Sequence, residues 1–249
     1  MARFFLSPEA WGVRPALIGD EAKHAAQVLR VRRGDRVTVF DGRGRSAAAE
    51  VLEVGKAELL LQLGDAVSRP PLLPEIRLAQ AVPKGKTMDL VVQKAVELGV
   101  AAIQPLITRH TVVQVDGDDA ARKSQKWQRV ALEACKQCGQ DLLPEVASVR
   151  DFAEWLPSEQ GELRIIASLF PGARPLREIL RGASVPRTVT FLVGPEGDFS
   201  QEEGAAAVAA GFQPASLGEI VLRAETASFF GVSAIRYEFA AATRQQEVP

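Results

Sequence analysis

Residues 191–226, FLVGPEGDFSQEEGAAAVAAGFQPASLGEIVLRAET, carry the types and spacing best suited to grip a small molecule. Gly194-Pro195-Glu196-Gly197 follows the apolar run Thr190-Phe191-Leu192-Val193, and Leu217-Gly218-Glu219-Ile220-Val221-Leu222-Arg223 leads into a helical pattern. Glycine lets a backbone approach a ligand closely and take positive φ. A strand that ends in such a turn before a helix is where α/β proteins hold ligands. Ser200, with Glu203 three residues on, fits a capping box, so the helix start would aim its N–H groups toward the first turn. In the second turn, bulky apolar residues stand where a surface loop is ordinarily polar. A flat heterocycle would cover them; a short buried strand is the competing reading. Arg223 and Glu225 open the last helix, where a carboxylate also suits the helix dipole. Two such turns, separated by one helix, suggest one pocket lined from two sides.

Three other clusters have chemical potential. Residues 30–45 carry Arg30, Arg32, Arg33, Arg36, Arg43 and Arg45 against only Asp35 and Asp41. Such a run attracts phosphate backbones in a salt-dependent way, or is simply a solvated basic face. His24 and Gln27, just before it, could hydrogen-bond a nucleotide. Pro83-Lys84-Gly85-Lys86-Thr87 resembles a phosphate-contacting turn, without the spacing of a P-loop. Cys135 and Cys138 form a CxxC, but no second pair exists and His24 and His110 are the two histidines. They read as reduced helix cysteines with no metal site. GxGxxG, HExxH and GxSxG motifs are all missing.

These residues need elements to hold them. The 249-residue chain, 47% hydrophobic and 24% charged with a formal net charge of −1, has the make-up of an ordinary globular protein. The net charge excludes a polybasic nucleic-acid binder, though a local patch can still steer. No apolar run approaches the ~20 residues of a membrane span, and no secretory signal is visible, so the expected location is the cytoplasm. Residues 1–70 show short β-type runs such as Arg36–Phe40 and Glu58–Leu63, with a short helix over Asp20–Leu29, and predict a small β-barrel. Ser68–Pro74 holds three prolines and predicts a stiff linker. From residue 75 to 249, strands and helices alternate, which predicts a mostly parallel sheet. The strands are Ile76–Val82, Ile103–Ile107, Arg164–Leu169 and Val189–Val193. The helices are Thr87–Leu98, Ala120–Cys138, Glu202–Ala210 and Ala224–Ala242.

The pieces together resemble the RsmE family of SPOUT-class methyltransferases, which make N3-methyluridine in 16S ribosomal RNA. The matching segments are Arg3-Phe4-Phe5, His24–Leu29 with Arg30, Pro83-Lys84-Gly85, Met88–Gly99, Gly194–Gly197 and Leu217–Ala227. The resemblance implies an N-terminal PUA-like β-barrel for RNA and a C-terminal SPOUT α/β domain with a trefoil knot. It also implies a homodimer acting on the small ribosomal subunit. S-adenosylmethionine would be held by Leu169, Phe170, Leu192, Val193, Gly194, Pro195, Glu196, Gly197, Leu217, Gly218, Ile220 and Leu222. Arg3, His24, Arg30, Arg32, Arg33 and Lys84 would meet RNA. The chain departs from the family pattern at Asp198, where a glycine often stands, and at His110, where serine is usual. It also has Lys136 and Gln140 in place of Glu and Arg on a helix implied to face a partner or RNA.

The implied reaction passes a methyl group in line from a sulfonium to uracil N3. The N3–H must lose its proton near the moment of transfer. Arg223 is the candidate to stabilise negative charge on the uracil oxygens, and Glu225 and Glu196 are the candidate proton acceptors. Two other readings stand beside it. One is a non-catalytic RNA-binding assembly factor. The other is a related SPOUT enzyme acting on transfer RNA or on a ribose oxygen.

Overall fold

The strands from Glu75 onward carry apolar residues on both faces, and that pattern forces a sheet covered on two sides. A computed structural model describes residues 1–113 and 117–246. They divide into two units: Met1–Pro71 with Leu132–Leu143, and Leu72–Ala131 with Pro144 onward.

The first unit holds β1 (Arg3–Phe5), β2 (Ala16–Ile18), β3 (Arg36–Phe40), β4 (Arg45–Val54) and β5 (Glu58–Ser68). Between β2 and β3 lie α1 (Gly19–Lys23) and one π-helical turn, His24–Val28. The strand order is β1-β3-β4-β5-β2, and β1 and β2 form opposite edges. The expected barrel takes the form of a curled five-stranded sheet, a half-barrel whose edge strands do not pair with each other among the described residues. Register shifts at Ala47/Ala49 and Val51/Glu53 of β4 bend it. Its core is Phe4, Leu6, Leu17, Val37, Val39, Val51, Leu59 and Leu61. Asp141, 1% exposed, takes Arg3, Arg69 and the Ser46 hydroxyl. Arg3 also lies over the Phe40 ring, 4.5 Å from its centroid.

The second unit is built on β6 (Glu75–Ala81), β7 (Ala102–Ile107), β8 (Glu145–Val146), β9 (Arg150–Asp151), β10 (Leu163–Ala167), β11 (Arg174–Pro175), β12 (Thr188–Val193) and β13 (Gln213–Ser216). Its order is β11-β13-β10-β12-β6-β7-β8, with β9 also on β7, and every pair is parallel. The helices are α2 (Thr87–Glu97), α3 (Gly117–Cys138), α4 (Phe152–Trp155), α5 (Leu176–Gly182), α6 (Gln201–Ala209) and α7 (Ala224–Gln246). The division between units falls within α3.

Side chains alternate across the sheet. On one face Ala79, Ile166 and Leu192 meet Phe152, Trp155, Phe199, Ala207 and Phe212. On the other, α7 packs along β6 and β12. There the Ser228 hydroxyl donates to the buried Gln80 amide oxygen, and Gly231 lies against the Phe191 ring. A Cβ at residue 231 would overlap that ring. Because all strands run one way, their C-terminal ends share one edge. The segments after β6, β7, β10, β12 and β13 all gather there.

The long helices and the strands seen in the sequence appear within a few residues of their expected bounds. Elements β1, β2, β4, β8, β9, β11, β13, α4 and α5 are additions. Gln213–Ser216 has no apolar run and becomes a strand through its backbone pairing with β10. Lys136, on the helix that the resemblance implies to face a partner or RNA, has a side chain 9% exposed and ion-paired with Glu21 and Glu133. Burial pulls its pKa down, but the hydrogen bonds to Glu133 and Glu21 outweigh it and hold the ammonium above its usual value.

Gly231→Ala should lower stability by about 1–3 kcal/mol through overpacking, a fall of roughly 3–10 °C in Tm, read by thermal melting. A second expectation concerns the cysteines. Burial first, then Cys138 and Asp141, push the Cys135 thiol up to about 12, with Arg3 pulling the other way. A raised folded pKa stabilises the protonated form. That contribution is present below the unfolded thiol's pKa and is lost as pH rises through about 12. At mildly alkaline pH a thiol reagent should label the exposed Cys138 and spare buried Cys135 until denaturant is added.

Candidate functional site

Two hollows open along the C-terminal edge of the second unit's sheet. The first, about 390 Å³, collects the segments after β10, β12 and β13 and the start of α7. Leu169, Val193, Gly194, Pro195, Glu196, Leu217, Gly218, Ile220, Leu222 and Arg223 line it, as the sequence led us to expect. Val221, Ala224 and Ala227, from the second turn and the segment after it, line it as well, as does Asp198; Ala167, Ser168 and Ser216 also line it, and no sequence signal singled these three out. The loop after β13 is no buried strand: Ile220 is 79% and Val221 70% exposed. Apolar side chains held so open beside a concavity suit contact with a flat apolar group.

Some expected residues sit elsewhere. Leu192 is fully buried in the core, because the period-two alternation of β12 turns it away from its lining neighbour Val193. Phe170 packs on that same core beside Gly204. Glu225, the second residue of α7, lines neither hollow. Gly197 lines the second hollow and not the first. Positive φ was expected at Gly194 or Gly197. It falls instead on Asp198, at 57°. Asp tolerates this region because its short side chain bonds locally. Its carboxylate accepts the amides of Phe199 at 2.8 Å and Leu169 at 3.3 Å, tying the β12 loop to the β10 loop. The two glycines serve close packing: a Cβ would come within 3.1 Å of Phe199 at residue 194 and 3.2 Å of His110 at residue 197.

The second hollow, about 500 Å³, lies over β6, β7 and β12 and is lined by Lys84, Arg109, His110, Thr111, Val112, Glu196 and Gly197. Glu196 therefore borders both. Its carboxylate accepts the Lys84 amide at 2.9 Å. Ser200 and Glu203 complete the expected capping box on α6, and Glu203 also accepts the Arg109 amide at 2.8 Å. His110 Nδ1 lies 3.0 Å from the Gly197 carbonyl and 2.9 Å from that of Asp198.

In the first unit, Arg30, Arg32, Arg33, Arg36 and Arg43 are exposed. The acids among them are occupied. Asp35 caps the turn at the Arg32 amide, and Asp41 takes the amides of Arg43 and Arg45. Arg45 stacks on Trp11, with 4.1 Å to the ring centroid. His24 is half-buried edge-on to Phe4. Arg3, expected to face RNA, is committed to Asp141 and Phe40 inside the unit. Among the described residues no helix is long and apolar enough to cross a membrane, and no cluster of His, Cys, Asp or Glu could hold a metal ion.

Comparison with known proteins places this geometry. The family model described as an RNA methyltransferase domain matches residues 70–236, and that of an RNA methyltransferase PUA domain matches residues 17–64. Ribosomal RNA small subunit methyltransferase E of Synechocystis sp. is 34% identical over 206 residues, 81% of this chain; the match spans 65% of that relative's length, just under two thirds. The Bacillus subtilis protein of the same name is 26% identical over 96% of this chain and 97% of its own. Among solved structures, the Neisseria gonorrhoeae protein of that name, bound to S-adenosylmethionine, is similar at TM-score 0.86 and 33% identity, over 95% of this chain and 97% of its own. A Legionella pneumophila methyltransferase, also solved with that cofactor, reaches TM-score 0.87 at 32% identity, with the same coverage of both chains.

Asp198→Ala and Asp198→Gly should separate the two duties of this residue. Both variants should speed hydrogen exchange at the Leu169 and Phe199 amides. The alanine variant should be the less stable by about 1–2 kcal/mol, because alanine must hold left-handed backbone. Equal stability of the two in urea titration would show that the positive φ carries no strain.

Proposed function

The chain belongs to the RNA methyltransferase family, and from that premise we propose that it methylates N3 of a specific uridine in 16S ribosomal RNA, using S-adenosylmethionine. The observation that carries this reading is the first hollow, with exposed Ile220 and Val221 beside Gly194, Gly218 and Arg223. Its residues fit the cofactor. Leu169, Ile220, Val221 and Leu222 offer apolar cover for a flat purine, while Ser168, Ser216 and the loop backbones offer polar contacts. Glu196 brings negative charge to the rim, suited to a sulfonium. When bound, that cofactor supplies a methyl group on positively charged sulfur.

The protein's own part is to align and to neutralise. Orientation of donor and acceptor supplies several kcal/mol of the barrier, on the order of 7–11 in the best intramolecular cases. Arg223, exposed at the mouth of the hollow, balances negative charge that develops on the uracil oxygens as N3 loses its proton. Glu196 holds the turn after β6 through the Lys84 amide, which places Lys84 beside the entering strand. The exposed arginines of the first unit position RNA through phosphates, without reading sequence. This reading gives RNA contacts to Arg30, Arg32, Arg33, Lys84 and His24 and leaves Arg3 a structural pair.

The same reading includes a PUA-like domain over 1–70 and a SPOUT domain over 75–249 whose chain forms a trefoil knot. The strand order β13-β10-β12-β6, in which β12 and β13 flank β10, supports it. It also includes a homodimer in the cytoplasm that works on the small ribosomal subunit. Phe230 and Tyr237, seven residues apart on α7 and 47% and 82% exposed, give one helix face an apolar stripe for a second copy.

The test is incubation of labelled cofactor with unmodified small subunits, followed by mapping of the modified base. Label at uridine N3 is expected; label on carbon or a ribose oxygen overturns the reading. A protein that binds these subunits but gives no calorimetric heat with the cofactor would be an assembly factor instead. Arg223→Ala should slow single-turnover methylation by about 10²–10³-fold at saturating RNA; an unchanged rate removes Arg223 from the chemistry.

A further inference from the structure

The proposed reaction needs a proton acceptor. Of the carboxylates marked in the sequence, Glu225 lines neither hollow, and Glu196, which lines both, already uses Oε1 to accept the Lys84 amide. His110 is on the wall of the second hollow. Its Nδ1 touches two carbonyl oxygens, those of Gly197 and Asp198. A carbonyl oxygen can only accept, so Nδ1 carries the hydrogen in both contacts. A neutral imidazole has one N–H, so Nε2 keeps a free lone pair. The arrangement is built rather than incidental. The ring rests on residue 197, where a Cβ would meet His110 Cβ at 3.2 Å and Cγ at 3.5 Å, and the Asp198 carbonyl is fixed by that residue's left-handed turn.

Resting on the uridine-N3 reading, we infer that His110 Nε2 takes the N3 proton. The N3–H bond breaks, the proton forms a bond to Nε2, and N3 keeps the electron pair. That pair forms the new N–C bond to the methyl group, while the electrons of the broken C–S bond stay on sulfur. The imidazolium returns its proton to water. The charged groups facing His110 are Lys84 from the turn after β6, Arg109 on its own loop, and Glu196 from the loop after β12. The Asp198 carboxylate is turned to the Leu169 and Phe199 amides, and Glu203 is engaged with Arg109 and Ser200.

Two measurements test this. In the protein alone, long-range proton–nitrogen NMR on the neutral His110 ring, assigned by its loss in His110→Asn, should show hydrogen on Nδ1. Hydrogen on Nε2 overturns the inference. In single-turnover methylation of small subunits, the wild type should lose rate on the acid side, with an apparent pKa matching that NMR titration. His110→Asn keeps a donor for the two carbonyls but has no basic nitrogen. It should be slower by about 10²–10⁴-fold and lack that acid limb, with unchanged melting temperature and calorimetric affinity for the cofactor. A variant with wild-type rate and pH profile overturns the inference. Product mapping on the wild type separates the two failures. Methyl on an atom other than N3 sinks the uridine reading and this inference with it, whereas methyl on N3 with an unaffected variant sinks His110 alone.

Discussion

Helix α7 can lie on β6 and β12 because residue 231 has no side chain. That close approach sets the helix's height above the sheet, and the buried Ser228–Gln80 hydrogen bond sets its position along it. Both contacts lie on one face of α7, with Ala224, Ala227, Val232 and Ile235 buried beside them. The N-terminus of the helix is thereby fixed over the ends of the strands. Arg223, the residue just before the helix, lines the first hollow, and the apolar loop that precedes it runs along the opening.

Much of this was legible in the sequence, for identifiable reasons. Turn chemistry and capping are local, so the Gly194–Gly197 turn, the Ser200–Glu203 box and the long helices could be read from neighbouring residues. Strands covered on both faces appear as apolar runs, which gave β6, β7, β10 and β12. Gln213–Ser216 could not be read that way, since its strand character comes from pairing with β10 rather than from its own residues. The same limit applies within the site. An apolar run does not say which of its members faces inward, so Leu192 and Phe170 went to the core while Val193 and Leu169 went to the hollow. His110 differed from a pattern without revealing why; its partners are about ninety residues away, at Gly197 and Asp198.

The first unit divides its charges locally. Within and beside the arginine run the acids are engaged: Asp35 and Asp41 bind backbone amides, and Asp141 is sequestered with Arg3, Arg69 and Ser46, while Glu9, Asp20, Glu50, Glu53 and Asp65 lie exposed elsewhere on the unit. Most arginines remain outside. A chain of nearly neutral overall charge thus presents a local positive surface without any excess of basic residues. In the interior pair of Lys136 with Glu21, the cation is drawn in by its partners.

β12 is flanked by β10 on one side and β6 on the other, so the loop that leaves it is a party wall between two chambers. Glu196 belongs to both rooms. Whatever stiffens that wall from one side changes the shape offered on the other, and thermodynamic linkage makes the effect equal in both directions. In the proposed reaction, cofactor and acceptor base would sit on opposite sides of that one loop.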